Sequence, residues 1–568
     1  MESGAAQNCS SLPDGASHEA NVPESANSIP NQTQQGPRPN LEAGSLNTSA
    51  SASSYVSGAH WVAILDSISE LKEQVQSEDE DISKDHEDPL IRVEDHKPSL
   101  LFGYQCNLSK EDLIATLPAR PIVDRWVSEY FNDLDMMPHI SCLHTGTFSR
   151  EYENLWTSPS SVSPIWLGLL YSMICLSARF GSTSSPTESG DSWGGAASSS
   201  AKGGPYVIET LLHYFMIEHL RRPDTEVNTW LLLGVILRLG LRMGYHRDPS
   251  QFPNLTPFQR EMRRRVWATL YVADVWQSIQ IGAPRMFQDG QWDTRDPLNL
   301  VDTDFDETSS ELPPSRDNGE VTHIFFVIAR FKLAKVMGAI SDIINAIEPD
   351  PSKAAKAEKM LQETYDSLHP ILKFIPGRST INEHPRTVLH QFLLAVSLHQ
   401  AQVLLYQRYM TMPPQGNDSN GPLDVLINAA LKILEYQNLM DLEIQPGGSL
   451  WTVRWKMSST LAHEFLLATT VLSKVLFSTL GLHPLIQPGT DMDVSIRATL
   501  RQTLEIWNRS KHRSKEAKQA ANLLTSLFHA LDSSPSNLQL VDEDNLMIDL
   551  ESYLGISLDS LLPGPFLE

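Results

Sequence analysis

The residues with the clearest capacity for chemistry are charges set inside apolar segments near the middle of the chain. Arg238 and Arg242 lie four positions apart in TWLLLGVILRLGLRMGYHRDPS, and Asp274 lies within RRRVWATLYVADVWQSIQIGAPR. A spacing of four places the two arginines on one face of a helix. Because an unpaired buried charge costs several kcal/mol, this pattern predicts an ion-pair or hydrogen-bond cluster of Arg238, Arg242 and Asp274, joined by Glu261.

The basic run Arg263–Arg265 could contact nucleic acid, because clustered guanidinium groups bind phosphates and release counterions. It shares its helix with large apolar residues such as Trp267, and the formal net charge of the chain is -25, which repels phosphate. We expect solvated or ion-paired arginines and only weak or indirect DNA contact. Direct DNA contact by the run is the alternative.

Motifs for catalysis or metal binding are not found in the sequence. The four cysteines, at positions 9, 106, 142 and 175, have no paired spacing, and His463-Glu464 begins HEFLL rather than H-E-x-x-H. The acidic segment DTDFDE at 302–307 lacks the central Gly of a calcium loop and the Glu that such a loop has at its twelfth position. We therefore expect no enzyme, no cofactor and no zinc or other metal site in this sequence.

Two helices must position the central charges. From Val227 onward, apolar residues fill nearly every face of the first helix, which predicts burial on all sides, and Gly244 has the position of a left-handed cap. The second helix begins at TPFQ, residues 256–259, which has a capping threonine, a proline at the first helical position and a capping-box glutamine. Gly282 and Pro284 end it.

The segment from 227 to 306, called here the signature segment, resembles the fungal-specific transcription factor domain, or middle homology region, of zinc-cluster fungal regulators. The resemblance is carried by LGLRMGYHRDPS, EMRRRVWATLYVADVWQSIQIGAPR and the acidic DPLNLVDTDFDE. Its signature residues in this chain are Gly244, His246, Arg247, Glu261, Arg263, Arg264, Arg265, Trp267, Asp274, Gly282, Pro284 and Arg285.

The resemblance extends well beyond this segment. LPARPIVDRWVSEYFNDLDMMPHISCLHTGTFSREYENLW resembles the entry helix of the family, and SLHQAQVLLYQRYM, MSSTLAHEFLLATTVLSKVL and TLEIWNRSKHRSKEAKQAANLL resemble later helices. It therefore covers roughly Lys110 to Leu531, and it implies an all-α regulatory domain, a large multi-helix array over 109–532. Helical periodicity in nearly every segment between the loops agrees with this fold class.

Family members usually carry an N-terminal cluster of six cysteines that binds two zinc ions and places a helix in the major groove. The first 55 residues of this sequence contain only Cys9, so that cluster is absent from it. Some regulators of the family respond to small molecules. A ligand pocket lined by Arg238 and Arg242 is therefore an alternative to the predicted polar cluster.

The N-terminal region is divided into three parts by composition. Residues 1–57 are polar and poor in large apolar groups, which predicts disorder. Residues 58–77 have apolar residues at alternating steps of three and four, as in a short coiled coil, which zinc-cluster regulators commonly have at this place. The seam consists of Trp61, Ile64, Ile68, Leu71 and Val75. A single amphipathic helix docked on its own core is the alternative. Residues 78–108 form an acidic linker.

Two internal loops are predicted at 181–205 and 411–422, from runs of Gly, Ser, Pro and Asn. The segment 533–568 differs from the rest because acidic residues alternate with large apolar ones and no Lys or Arg occurs after Lys518. This composition predicts an activation segment that binds transcription machinery or a coactivator, and the alternative is a terminal helix packed within the chain. Its candidate contact residues are Leu546, Ile548, Leu550, Tyr553, Leu554, Leu558, Leu561 and Phe566.

Two hypotheses of function follow. The first is a fungal nuclear transcription regulator, controlling a metabolic or secondary-metabolite pathway, whose helical domain regulates or dimerises. The second is a corepressor without DNA binding, or a dimer partner of a zinc-cluster factor. A basic patch of Lys511, His512, Arg513 and Lys515 is compatible with a weak nuclear localisation signal, although surface charge is the simpler explanation. No apolar run reaches the roughly 18 to 20 residues of a membrane span, so no membrane contact is expected.

Overall fold

Helices account for nearly all the regular structure, which confirms the predicted all-α class. The computed structural model describes residues 44–48, 53–68, 109–133, 142–180, 204–221, 224–225, 227–316, 320, 322–347, 350–375, 383–410, 421–451, 461–481 and 484–533. These residues fall within one compact unit, Pro39–Glu568. Leu71, Val75, the linker 78–108 and the tail beyond Ser533 lie outside the described residues.

Two short strands and fifteen helices are present in the described residues. They are β1 (Ser45–Thr48), β2 (Ser53–Val56), α1 (Trp61–Asp66), α2 (Lys110–Ala115), α3 (Arg120–Asp133), α4 (Thr145–Thr157), α5 (Pro164–Phe180), α6 (Val207–Leu220), α7 (Val227–Arg242), α8 (Pro257–Ile281), α9 (His323–Ile344), α10 (Pro351–Ser367), α11 (Pro385–Tyr406), α12 (Gly421–Glu443), α13 (Ala462–Phe477), α14 (Asp491–Ser510) and α15 (Lys515–Ser533).

Most helices pack on their neighbours along the chain, from α5 on α6 through α9 on α10 and again from α11 to α15. The α8 helix lies at the centre, and eighteen of its residues are buried. By length and apolar composition α11 could cross a membrane, but 83% of its apolar window is buried among the other helices, as expected of a core helix. Residues 181–203 and 411–420 of the two predicted loops lie outside the described residues, and the last two residues of the second loop, Gly421 and Pro422, belong to α12.

The ends of α8 are those that the sequence predicts. Thr256 accepts the amide of Gln259, and the Gln259 side chain accepts the amide of Thr256, which forms the capping box. Gly282 ends the helix with φ +70°, and Gly244 follows α7 with φ +74°. Both glycines occupy the left-handed region that other residues adopt only with strain.

The α7 helix differs from its prediction because it is not buried on all sides. One face is open to solvent, and its apolar residues Val227, Leu231 and Val235 are 56%, 44% and 44% exposed. The opposite face, which includes Leu233 and Leu237, packs in the core against α6 and α8. An all-round apolar sequence predicts burial, yet here two packing partners cover only part of the helix.

The N-terminal part of the described chain is ordered and docked, so the prediction of disorder over 1–57 is wrong for residues 44–48 and 53–57. The strands β1 and β2 form an antiparallel hairpin in which Ser45 pairs with Val56. The following helix α1 packs on α13, about 400 residues away in the chain. Trp61, Ile64 and Ile68 of the predicted seam are buried within this chain, as the docked-helix alternative predicts and the coiled-coil prediction does not.

Candidate regulatory site

The three arginines of the basic run, Arg263–Arg265, make contacts within the fold. Arg263 donates to the carbonyl oxygen of Met243 at 2.5 Å, and its guanidinium lies 4.2 Å from the ring centroid of Tyr245. It therefore places a positive charge at the carboxyl end of α7, where unpaired carbonyl groups favour a cation. Arg264 reaches in another direction and donates to both oxygens of Asp248, at 3.3 and 3.2 Å.

Asp248 stabilises the turn that joins α7 to α8 through hydrogen bonds to its carboxylate. Besides the Arg264 guanidinium, its carboxylate accepts the amides of Ser250 at 3.0 Å and Arg295 at 2.9 Å. Burial alone would raise the pKa of Asp248, but the hydrogen bonds from Arg264, Ser250 and the Arg295 amide hold it well below its usual range. The carboxylate thus stays charged and joins this turn to the chain after α8.

Arg265 is fully buried and lies between two carboxylates. Its Nε is 3.3 Å from Glu261, its Nη1 is 2.8 Å from Asp302, and its Nη2 donates to the carbonyl oxygen of Leu300 at 3.0 Å. Burial raises the pKa of Glu261, and the charge of Arg265 opposes that shift. An ion pair this deeply buried costs desolvation, so removal of either partner leaves an uncompensated charge.

Asp302 joins three helices through one carboxylate. It accepts the amide and hydroxyl of Thr145 at the start of α4, at 2.8 and 2.9 Å, pairs with Arg265 of α8, and lies 3.4 Å from His323 at the start of α9. Burial would raise the pKa of Asp302, but His323 and Arg265 hold it well below its usual range. The first carboxylate of DTDFDE therefore has a structural role.

The rest of that acidic loop is also held by ion pairs. Arg316 makes a two-pronged contact to Asp304, at 2.8 and 2.7 Å, and Arg150 of α4 pairs with Glu307. Within the part of the chain that the structure describes, no group of three or more His, Cys, Asp or Glu residues could hold a metal ion.

At the other end of α8, Asp274 and Arg285 shape the turn out of the helix. The Asp274 carboxylate accepts the amides of Met286 at 3.0 Å and Phe287 at 2.8 Å. Arg285 makes a two-pronged ion pair with Asp342 of α9, at 2.8 and 2.6 Å, and donates to the Tyr271 hydroxyl at 3.0 Å. These contacts join the end of α8 to the middle of the fold.

Glu261 and Asp274 of the predicted cluster of Arg238, Arg242, Glu261 and Asp274 have partners other than the two predicted arginines. Glu261 contacts Arg265 and accepts the amide of Leu298. Asp274 accepts backbone amides and a hydrogen bond from Ser278, and the charge of Arg285 opposes the rise of its pKa. Arg238 and Arg242 lie on the exposed face of α7. Arg238 does share a cavity with Asp274. This cavity has a volume of about 330 Å³ and lies between α7 and the turn after α8.

The other signature residues have structural positions. Trp267 is fully buried, the carbonyl oxygen of His246 accepts the amide of Asp293 at 3.0 Å, and Arg247 pairs with Asp293 at 3.0 Å. Pro284 is exposed beside the 330 Å³ cavity.

Gly282 also receives the N-terminal part of the chain. Its carbonyl oxygen accepts the amide of Ser57 at 2.8 Å, and the imidazole of His60 lies against it and donates from Nε2 to the carbonyl oxygen of Gln280 at 3.0 Å. A Cβ at position 282 would lie 3.0 Å from His60. The end of the signature helix is thus the docking point for the residues that precede α1.

A buried polar centre beside this contact was missed in the sequence. The ring centroids of His463 and His60 are 5.2 Å apart. The neighbouring Glu464 interacts electrostatically with Arg330. The Arg330 guanidinium lies 4.5 Å from the centroid of the Trp276 ring. Burial raises the pKa of Glu464 to about 7 and lowers that of Arg330 to about 10. In the sequence, Arg330 could have indicated this buried centre, because it is the first charged residue in the apolar run HIFFVIARF.

A larger cleft of about 700 Å³ lies between α10, α11 and α12. Its walls include Leu368, Leu394 and Leu398, and its polar groups include His399 and Tyr436. Burial lowers the pKa of His399, which favours the neutral imidazole. The volume and the mixed lining are those of small-molecule sites in proteins.

Comparison with known proteins identifies the family of the chain. The fungal specific transcription factor domain matches residues 127–370. The chain is 34% identical over 533 residues to the equisetin cluster transcription factor of Fusarium heterosporum, covering 90% of this chain and 75% of that protein. The chain belongs to the family of fungal-specific transcription factors.

Further relatives have similar coverage. A Zn(2)-C6 fungal-type transcription factor of Macrophomina phaseolina is 36% identical over 87% of this chain and 69% of its own length. The fusarisetin A cluster transcription factor of a Fusarium species is 34% identical over 90% of this chain and 70% of its own length. No solved structure matches the chain.

In this fungal-specific transcription factor the cysteines have no zinc-site geometry among the described residues. Cys142 is buried, its thiol lies 3.2 Å from the Thr269 hydroxyl, and burial raises its pKa to about 12. Cys175 is half-buried. The matched region contains α8 and its arginines, so the segment that identifies the family is also the brace that holds α4, α7, α8 and α9 together.

Proposed function

We propose that this fungal transcription regulator acts in the nucleus and controls a secondary-metabolite biosynthetic gene cluster. The observation that carries the proposal is similarity over about nine-tenths of the chain to factors named for the equisetin and fusarisetin A clusters. The exposed basic patch at the turn between α14 and α15 supports nuclear import, because Lys511, His512 and Arg513 are open to a receptor.

The helical domain serves as a regulatory and dimerisation module, and it does not itself bind DNA tightly. The arginines of its densest basic run already have partners within the chain. Arg264 and Arg265 are buried against carboxylates, and Arg263 donates to the carbonyl oxygen of Met243. A net charge of -25 also disfavours approach to phosphate. The chain acts at its promoters as a homodimer or as a heterodimer with a zinc-cluster factor, and it acts by contacts rather than by catalysis.

The acidic, apolar tail 533–568 recruits transcription machinery or a coactivator. Its carboxylates alternate with large apolar side chains, a composition that coactivator grooves accept. The second candidate is a corepressor or inert dimer partner without DNA binding. It is favoured equally well by the contacts of Arg263–Arg265 within the chain, because these contacts disfavour DNA binding in both cases.

A reporter assay separates the two candidates. The full chain is fused to a heterologous DNA-binding domain, and transcription is compared with a variant in which Leu550 and Leu554 are changed to Ala and with a control in which Ser534 and Ser536 are changed to Ala. An activator raises transcription, loses it in the leucine variant and keeps it in the serine variant. Transcription at or below background for the full chain would support the corepressor or inert partner.

A further inference from the structure

An open groove on the exposed face of α7 has no partner among the described residues. One wall is formed by Leu231, Gly234 and Arg238, and the other by Pro284 and Met286 after α8, around a cavity of about 330 Å³. Leu231 is 44% exposed, and Val227 and Val235 extend the same apolar face along the helix. An apolar helix face of this kind is a common receptor for a second amphipathic helix.

The charge at this groove is positive on its outer side. Arg238 is exposed at its rim. The carboxylate of Asp274 lies at the floor, where it is buried and accepts the backbone amides of Met286 and Phe287. A ligand for this surface therefore combines large apolar side chains with carboxylates at its edge.

The C-terminal segment of this chain has that composition. Between 541 and 562 it contains six carboxylates and no Lys or Arg, and its Met547, Leu550, Leu554, Leu558 and Leu561 follow each other at steps of three and four residues. This spacing places the five apolar residues on one face of a helix.

The segment also starts close enough to reach the groove. The first residues of α15 are bonded to the residues before α7, because Asp224 accepts the amide of Lys515 at 3.0 Å and Thr225 donates to Glu516 at 3.4 Å. The α15 helix is about 28 Å long and α7 about 24 Å. The seven residues 534–540 span up to about 25 Å when extended, and residues 541–550 add about 15 Å as a helix. Residue 550 can therefore lie up to about 40 Å from Ser533, which is enough to reach the first half of α7, where Leu231 lies.

We propose that the α7 groove binds the acidic, apolar segment 541–562 of the same chain as an amphipathic helix, with its leucines against Leu231 and Val235 and its carboxylates beside Arg238. The segment, when bound, covers the exposed face that α6 and α8 leave open. Binding is measured on the purified chain, so it stands or falls independently of the proposed role in transcription.

The test is photo-cross-linking of the full chain with p-benzoylphenylalanine in place of Val235. The expected product is a monomer in which position 235 is joined to a peptide from 541–562. The same probe in place of Leu442, an exposed leucine of α12, gives no such product. Cross-links only to a second copy of the chain, or none to the tail, would overturn the proposal.

A groove-filling variant gives the matched comparison. A Cβ at Gly234 would meet only the Arg238 guanidinium, at 3.8 Å, so Gly234→Leu has room in the fold and places a side chain in the groove. It should lower the cross-linking yield about tenfold, which corresponds to about 1.4 kcal/mol of binding. Arg238→Glu should lower the yield too, and Asp549→Lys with Glu551→Lys should restore it. An unchanged yield in Gly234→Leu would show that the tail is held elsewhere.

Discussion

Arg265 offers the sharpest test of the buried charges around α8. Its side chain is fully buried and pairs with Glu261 and Asp302. Arg265→Met keeps an unbranched chain but removes the charge, which leaves the buried carboxylate of Glu261 without its cation. Asp302 retains the hydrogen bonds from Thr145, so Glu261 dominates the loss. Breaking one partner of a buried pair costs about 3–5 kcal/mol, and we expect the free energy of unfolding to fall by that amount.

Urea unfolding, followed by tryptophan fluorescence at pH 7, measures the loss. Arg150→Met is the matched control, because Arg150 and Glu307 form an exposed ion pair that should contribute less than about 1 kcal/mol. Adding Glu261→Gln to Arg265→Met removes the uncompensated charge and should restore part of the stability. A loss in Arg265→Met no larger than that in Arg150→Met would refute the assignment of Arg265 as a buried brace.

The pH dependence of the same variant provides an independent check. Burial raises the pKa of Glu261 in the folded chain, and removal of Arg265 should raise it further. A carboxyl group with a raised folded pKa favours the folded state at low pH and disfavours it as the pH rises. The stability deficit of Arg265→Met should therefore be larger at pH 7 than at pH 5.

Three further predictions concern the docking of the N-terminal residues. Gly282→Ala should destabilise the fold by at least about 1 kcal/mol more than Gly290→Ala in urea titrations, because both glycines have positive φ but only Gly282 lies against His60. Burial lowers the pKa of His60 to about 4 and that of His463 well below its usual range, so the unfolded chain binds more protons. Stability should be full above pH 6.5 and fall as the pH drops towards 4, and His60→Asn should flatten this change between pH 7 and pH 5. Ile64→Ala should cost about 2–5 kcal/mol in stability without changing the molecular mass in solution, whereas loss of a dimer with unchanged stability would favour the coiled coil.

The occupied arginines connect the sequence signature of the family with its structure. One carboxylate, Asp302, links the starts of α4 and α9 to Arg265 of α8, and Arg285 links the end of α8 to Asp342 of α9. These residues fix the relative positions of the helices on which the exposed groove of α7 is built. Pro284 and Met286, which form one wall of that groove, flank Arg285 in the turn after α8.

Local features of the fold could be predicted from the sequence because their causes lie within a few residues. The capping box at 256–259 and the left-handed glycines at 244 and 282 are examples, since each depends on groups one helical turn away. Helical periodicity and the resemblance to the family likewise gave the all-α class. The same local evidence also established the acidic, apolar character of the tail.

The partners of the charges were decided only by the tertiary structure. The sequence shows that Arg238, Arg242 and Asp274 share an apolar region, but Asp274 is satisfied by backbone amides that arrive after the turn at Gly282. Arg265 pairs with Asp302, 37 residues later in the sequence, because the chain folds back across α8. Periodicity indicates which face of a helix is apolar, but it does not indicate how many neighbours will cover that face. For that reason α7 was expected to be buried, and the apolar seam of α1 allowed either a coiled coil or a helix docked on its own core. In the fold α7 keeps one open face and α1 packs on α13.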